Sequence, residues 1–400
     1  MIKRLAQIAL LLVILSACNG SNPAATTPAA TEPAALPPTE TSAPSPLPPT
    51  ETVPPATATN VPNPVAYGPE NFPANVDPLT AQEINNPTLL ERRPLAIKVQ
   101  IFPRGQRPPW GVSMADLVFD YYQTYGLTRF HSIFYGTDAE VVGPIRSARL
   151  LDIDLVSMYG TVFAFGSAEQ RTYSRLFGNE FANRLVVEGY DNCPPLCRVD
   201  PNGYNYLVTN TAELSKYVSQ KGVDNVRQNL NGMTFNEALP SGAQPGQQIF
   251  IRYSISAYLY WNYDPTSGRY MRFQDTQEAP DQTSEGFEPL TDRLTGQQIA
   301  ADNVVVIIAP HKYAFNTHPG PNEVIDILLS GSGPAYAYRD GQMFQATWNR
   351  PARDTILFLS LPDGTPYPYK PGNTWYQVIG QSSKIQNDVS GMWRFQFWMP

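Results

Sequence analysis

Histidine and cysteine are scarce in this chain: its 400 residues hold three of each. With only His131, His311 and His318 available, a zinc centre built from several imidazoles and thiolates is not expected. His311 and His318 stand seven apart around a loop with no clear third ligand. Nucleophilic catalysis is equally short of bases, and Gly166-Ser167 lacks the full Gly-x-Ser-x-Gly elbow. Positive charge is also short, 28 Lys and Arg against 35 Asp and Glu. That balance argues against a nucleic-acid partner and gives no general attraction to anionic lipid. No internal repeat is visible, and no motif calls for a cofactor.

Long hydrophobic runs are absent as well. After the N-terminus no segment has the ~18 consecutive apolar residues of a spanning helix. The N-terminus itself is different. Met1-Ile2-Lys3-Arg4 is followed by an apolar run from Leu5 and then Ser16-Ala17-Cys18. A short cationic start, a short apolar core and small residues before a cysteine predict a secretory signal peptide over residues 1–18. Leu15-Ser16-Ala17-Cys18 matches a lipobox, so Cys18 is the expected lipidation site. Loss of Lys3 and Arg4 with the signal moves the formal charge from −7 to −9. The expected location is extracytoplasmic, lipid-anchored to the cell membrane, or to the outer membrane in a diderm envelope.

Residues 19–66 are Pro, Thr and Ala with little else. Thirteen of the 48 are Pro, and only Glu32, Glu40 and Glu51 are charged. Such a segment cannot bury enough surface to offset its ordering entropy, so a disordered tether is expected. In extended polyproline form it would reach about 150 Å, at about 3.1 Å per residue. Beyond it, Cys193 and Cys197 remain. In an oxidising compartment two nearby cysteines pair, and a disulfide is expected across Pro194-Pro195-Leu196. The spacing is not the Cys-x-x-Cys of redox motifs.

The remaining chain is long enough for two domains. Leu95–Ile101, Asp116–Gln123, Phe130–Tyr135 and Thr161–Phe165 read as strands. Helices are expected over Ser147–Tyr159, over Ala168–Phe177 behind a Ser167/Gln170 capping box, and over Ala212–Gln220 behind Asn210. After about Gly246 the pattern becomes mostly strands, including Asn303–Ala309, Ala335–Arg339, Met343–Trp348 and Thr374–Ile379. Arg339-Asp340-Gly341-Gln342 predicts a hairpin turn. The expected fold is α+β: a mixed α/β domain over 67–240, then a mostly antiparallel β-rich domain over 241–400.

Several segments carry a family resemblance. They are Arg93-Pro94-Leu95-Ala96-Ile97-Lys98-Val99, Ala115-Asp116-Leu117-Val118-Phe119-Asp120, Gly126-Leu127-Thr128-Arg129-Phe130 and Val142-Gly143-Pro144-Ile145-Arg146-Ser147-Ala148-Arg149. Tyr263-Asp264-Pro265, Gly331-Ser332-Gly333-Pro334-Ala335, Gln345-Ala346-Thr347-Trp348 and Gly372-Asn373-Thr374-Trp375 follow in order. Together they resemble the YerB-like family of bacterial lipoproteins, built on a two-part domain of unknown function numbered 3048. The resemblance implies an exported two-domain protein and carries no established activity. Where the family pattern has histidines, this chain has Phe165-Gly166-Ser167 and Tyr204-Asn205-Tyr206.

The leading candidate site is Arg129, Arg146, Ser147 and Arg149. With Ser147 capping the following helix, the arginines would flank its positive end, a natural anion site. The alternative is that Arg146 and Arg149 pair with Asp116, Asp138, Glu140, Asp152 or Asp154 and serve only the fold. Asp152 and Glu169 are candidates for paired-carboxylate chemistry, although Asp152 and Asp154, two apart on a helix, would not face each other. Aromatic stripes such as Tyr258/Tyr260 and Trp261/Tyr263 are either sugar platforms or core. The expected function is a membrane-anchored, non-catalytic module that binds peptidoglycan or another envelope polymer. The alternative is a cell-wall hydrolase with its site near Arg146.

Overall fold

The structure is a computed structural model and describes residues 66–317 and 323–399. The expected signal peptide, Cys18, the expected tether up to residue 65, and His318 lie outside the described residues. Among the described residues no helix is long and apolar enough to cross a membrane.

The principal strands of the first half are β1 (Leu95–Gln100), β2 (Leu117–Tyr122), β3 (Thr128–Phe134), β4 (Val162–Phe165), β5 (Leu185–Val187), β6 (Leu196–Val199) and β7 (Tyr206–Thr209). Helices α1 (Leu150–Tyr159), α2 (Gln170–Phe177) and α3 (Thr211–Gln220) interleave with them. The second half supplies β8 (Gln248–Arg252), β9 (Tyr258–Asp264), β10 (Arg269–Asp275), β11 (Asn303–Ala309), β12 (Gly331–Arg339), β13 (Gln342–Arg350), β14 (Thr374–Gly380), β15 (Lys384–Val389) and β16 (Met392–Gln396). The α+β reading is borne out. The expected hairpin joins β12 to β13 through Asp340 (φ 51°) and Gly341 (φ 71°), the paired positive φ of a type I′ turn.

Two sheets organise the protein. An eleven-stranded sheet runs β13-β12-β11-β14-β2-β3-β1-β4-β5, with Gln244–Pro245 and Phe358–Ser360 both pairing with β13. A seven-stranded sheet runs β10-β9-β8-β16-β15, with Phe287–Pro289 and Ala300–Ala301 on β10. In the larger sheet β14 lies parallel to both β11 and β2. Every residue of β11 and β14 is buried. Their near-continuous apolar runs are what a strand covered on both faces requires. Because β14 pairs with β2, the sheet continues from the second half of the chain into the first.

The sheets meet over a buried cation. Arg272 of β10 and Asp120 of β2 are both fully buried and form an ion pair at 2.8 Å. The Arg272 guanidinium also lies 4.9 Å from the Phe130 and Trp375 ring centres and 5.2 Å from that of Trp261. Trp261 and Trp375 themselves pack edge to face at 5.2 Å. So these aromatics are core, as are Tyr258 and Tyr270.

Two helix starts differ from the expected ones. α1 begins at Leu150 with Arg149, not Ser147, in the capping position. The Asp152 side chain accepts the Arg149 N–H there at 2.6 Å. Ser147 stands two residues before that cap, its carbonyl accepting from Arg129 and its hydroxyl 3.0 Å from that of Ser167. α2 begins at Gln170 behind Glu169, whose carboxylate accepts the N–H groups of Arg171 and Thr172. The Ser167 carbonyl instead accepts the Ala148 N–H at 2.7 Å. α3 starts as expected, with the Asn210 side chain accepting the Glu213 N–H at 3.1 Å.

Candidate functional site

Segment 142–148 builds the site. Gly143-Pro144 cannot extend a regular ladder, because Pro offers no N–H. The segment runs instead across the ends of β1 and β4. The Gln100 N–H donates to the Pro144 carbonyl and the Arg146 N–H to the Lys98 carbonyl. On the other side the Gly166 N–H donates to the Arg146 carbonyl. Further contacts to Leu207 and Thr209 of β7 fix its outer edge. β1 and β4 are parallel, and the segment wedges between their carboxyl ends, the position where open sheets of this kind take ligands.

The four expected residues come together here. Arg129, at the start of β3, donates from Nη1 to the Ser147 carbonyl at 2.8 Å. Arg149 donates from Nη1 to the Ala148 carbonyl at 2.9 Å and lies 3.4 Å from the Ser147 carbonyl. Ser147 Oγ is 3.0 Å from Ser167 Oγ. The Arg146 side chain is exposed and makes no hydrogen bond or ion pair among the described residues. Arg129 and Arg149 are half-buried.

Among the described residues none of the three guanidiniums has a carboxylate partner. The acids that might have neutralised them are engaged elsewhere: Asp138 with Arg92 at 2.7 Å, Asp154 with Arg350 at 2.9 Å, and Asp152 with Lys98 at 3.1 Å. Asp116 accepts the N–H groups of Tyr135 and Gly136, and Glu140 makes no ion pair. Burial, then the charges of Arg149 and Arg146, pushes Arg129 down to about 9. Burial also lowers Arg149. Cations drawn out of water without a counter-charge are costly, and an anion in this cradle removes that cost.

Beneath the cradle lies a second cluster that sequence reasoning did not assemble. Lys98, Tyr121, His131 and Asp152 are all fully buried. Asp152 Oδ1 accepts from Lys98 Nζ at 3.1 Å, Tyr121 OH at 2.5 Å and His131 Nδ1 at 2.8 Å. Lys98 Nζ also donates to Tyr121 OH and sits 3.9 Å from the centre of its ring. Burial pushes the Asp152 carboxyl up, but the Lys98 charge and the His131 and Tyr121 donors outweigh it and hold the carboxyl below its ordinary range. Burial brings Lys98 down to about 7 against the pull of Asp152. It lowers His131 too, so the ring is neutral and donates from Nδ1. The sequence signal was Lys98 itself, one charge in the middle of an otherwise apolar strand.

Within this network the Asp152 carboxylate is fully engaged. Asp152 Oδ1 holds three donors, and Oδ2 holds the Arg149 N–H. Glu169 is occupied by the start of α2 and by Arg171 Nε at 2.7 Å. His311 is buried away from this site, its Nδ1 2.9 Å from the Ala309 carbonyl, and burial lowers it to about 4. No group of three or more metal-ligating side chains occurs among the described residues.

Cys193 and Cys197 form the expected disulfide, with Cα atoms 4.8 Å apart. It joins the two ends of a short loop entering β6, which pairs with β7. Since β7 braces segment 142–148, the disulfide supports the flank of the cradle.

Fold and site define an α+β protein of two large sheets, with an arginine cradle at the carboxyl ends of parallel strands. The chain belongs to the DUF3048 family. The model described as "Protein of unknown function (DUF3048) N-terminal domain" matches residues 79–224, and its C-terminal counterpart matches residues 249–376. The "Putative lipoprotein YerB" of Bacillus subtilis (strain 168) is 26% identical over 300 residues, 72% of this chain and 82% of the relative. The crystal structure of the YerB protein from Bacillus subtilis matches with a TM-score of 0.61 at 23% identity, covering 76% of this chain and 96% of that one. At that identity the structural likeness speaks for the fold alone. The family resemblance read from the sequence is borne out.

Proposed function

We propose that this chain is a lipid-anchored extracytoplasmic protein whose folded part is a non-catalytic binding module for an anionic envelope ligand. Arg129, Arg146 and Arg149 hold the ligand around Ser147, and peptidoglycan or another envelope polymer supplies it. One observation carries the reading: Arg129 and Arg149 both reach the Ser147 carbonyl, Arg146 stands next to it in the chain, and none of the three has a carboxylate partner among the described residues. Structural arginines elsewhere in the protein, such as Arg92, Arg252, Arg272 and Arg350, do have acidic partners. A hydrolase at the same place would need a free carboxylate, and Asp152 and Glu169 are both occupied.

Three features support the location. The relative from Bacillus subtilis carries a lipoprotein name. Leu15-Ser16-Ala17-Cys18 fits a lipobox, and the composition of residues 19–66 suits a spacer. The Cys193–Cys197 disulfide suits an oxidising compartment. The test is co-sedimentation of the full chain with native envelope fragments, wild type against Arg146→Ala. The exposed position of Arg146 lets the variant fold, and its retained fraction should fall sharply. Equal retention would remove the reading.

A further inference from the structure

The cradle offers more donors and more charge than a single carboxylate can use. Arg129 and Arg149 are each tied by Nη1 to backbone carbonyls. That fixes both guanidiniums and leaves Nε and Nη2 of each without a protein acceptor. The Arg146 side chain has no hydrogen-bond partner among the described residues, and the Ser147 and Ser167 hydroxyls lie 3.0 Å apart on the same segment and its neighbour. A carboxylate has one charge and two coplanar oxygens, and one guanidinium fork satisfies it. A phosphoryl group carries close to two charges at neutral pH. Its oxygens point in several directions, so guanidiniums arriving from different elements can each take one.

The charge balance agrees. Asp152, the acid beneath the site, is already offset by Lys98 at 3.1 Å. The nearest acid on the outer side, Glu169, is held by Arg171 at 2.7 Å and by the first N–H groups of α2. Asp152 and Glu169 still pull on Arg149, and Asp152 on Arg129, but neither acid forms an ion pair with them, so the cluster keeps a net positive charge for the ligand.

We infer that the group recognised by Arg129, Arg146 and Arg149 is a dianionic phosphoryl group, a terminal phosphomonoester or a pyrophosphate, rather than a carboxylate. This rests on the anion-binding reading above and narrows it. A soluble or polymer-borne phosphate and a lipid headgroup share this chemistry.

The test is titration calorimetry of the full chain at fixed ionic strength, with pyrophosphate, inorganic phosphate, glutarate and acetate as probes. Glutarate matches the charge of a phosphoryl dianion without its geometry. Inorganic phosphate, close to glutarate in charge, and pyrophosphate are each expected to bind at least about tenfold more tightly than glutarate, a difference of about 1.4 kcal/mol. Arg146→Ala, and Arg149→Lys, which keeps the charge and loses the fork, are each expected to weaken pyrophosphate about tenfold or more. Vesicles containing phosphatidic acid form a parallel arm. Vesicle binding without soluble pyrophosphate binding places the phosphoryl group on a lipid and supports the inference. Glutarate or acetate binding as tightly as pyrophosphate, with loss in Arg146→Ala, overturns the phosphoryl assignment and leaves the anion site standing. No Arg146-dependent binding of any probe overturns both.

Discussion

Arg129, at the start of β3, reaches the Ser147 carbonyl at 2.8 Å with no acid in between. A second guanidinium, from Arg149, closes on the same oxygen at 3.4 Å. Burial first, and then the like charges of Arg149 and Arg146, bring Arg129 down to about 9. Under the proposed function a ligand supplies the missing negative charge. Its binding should therefore raise thermal stability, in proportion to occupancy, and weaken as salt screens the attraction. A thermal melt at rising concentrations of envelope fragments, repeated at high salt, checks both trends.

Asp152 anchors the floor of the cradle. Asp152→Asn removes the charge that balances buried Lys98 and weakens the acceptor for the Arg149 N–H. Breaking a buried pair by losing one partner costs about 3–5 kcal/mol, and denaturant unfolding should show a loss of that order. Lys98→Met in the same background should restore part of it, because no unpaired charge then remains.

Arg272 pins the two sheets. Arg272→Met leaves Asp120 buried and alone, and should also cost about 3–5 kcal/mol. Arg272 packs on Phe130, whose side chain leaves β3 on the opposite face from that of Arg129, so ligand affinity per folded molecule should stay unchanged. Chemical denaturation and calorimetry on the same variant separate these effects.

The legible part of this protein was its local structure. Asn303–Ala309 and Asp340-Gly341 read directly as a buried strand and a hairpin turn, because apolar runs and paired positive φ leave marks in nearby residues. The arginine cradle was half legible: Arg146 and Arg149 are neighbours in sequence, and their motif drew attention. The role of Ser147 was misread, since the pairing of segment 142–148 with β1, β4 and β7 overrode its capping preference. The Lys98–Tyr121–His131–Asp152 cluster was not legible, because its members come from three strands and a helix. The pairing of β14 with β2 was hidden for the same reason. Strand partners far apart in sequence are chosen by the packed whole, and either strand alone reads the same wherever it docks.

Stability should depend on pH through Asp116. Burial pushes its carboxyl up to about 7, against the N–H donors of Tyr135 and Gly136. The unfolded value is about 4. The folded state therefore keeps the proton longer, so this group's contribution is greatest below about pH 4 and declines as pH rises to about 7. Asp116→Asn keeps a carbonyl acceptor and should flatten that decline. Melting temperatures of both proteins between pH 4 and 8 test this.

Removing the disulfide should have a modest effect. The loop between Cys193 and Cys197 is short, and chain-entropy arguments assign so small a loop about 2 kcal/mol. Cys193→Ser with Cys197→Ser should lower the melting temperature slightly and loosen the β6–β7 edge first. Hydrogen exchange at Val208, which pairs with Cys197, reports that edge.

The most direct test of the central claim compares two arginines in one assay. Arg146 is exposed and without an ion pair, whereas Arg353 is exposed and pairs with Glu180 at 3.2 Å. Dissociation constants for native envelope fragments should be measured for wild type, Arg146→Ala and Arg353→Ala at one salt concentration. Arg146→Ala should weaken binding by about tenfold or more, near 1.4 kcal/mol, while Arg353→Ala should leave it unchanged. Equal affinities for all three proteins would contradict the claim.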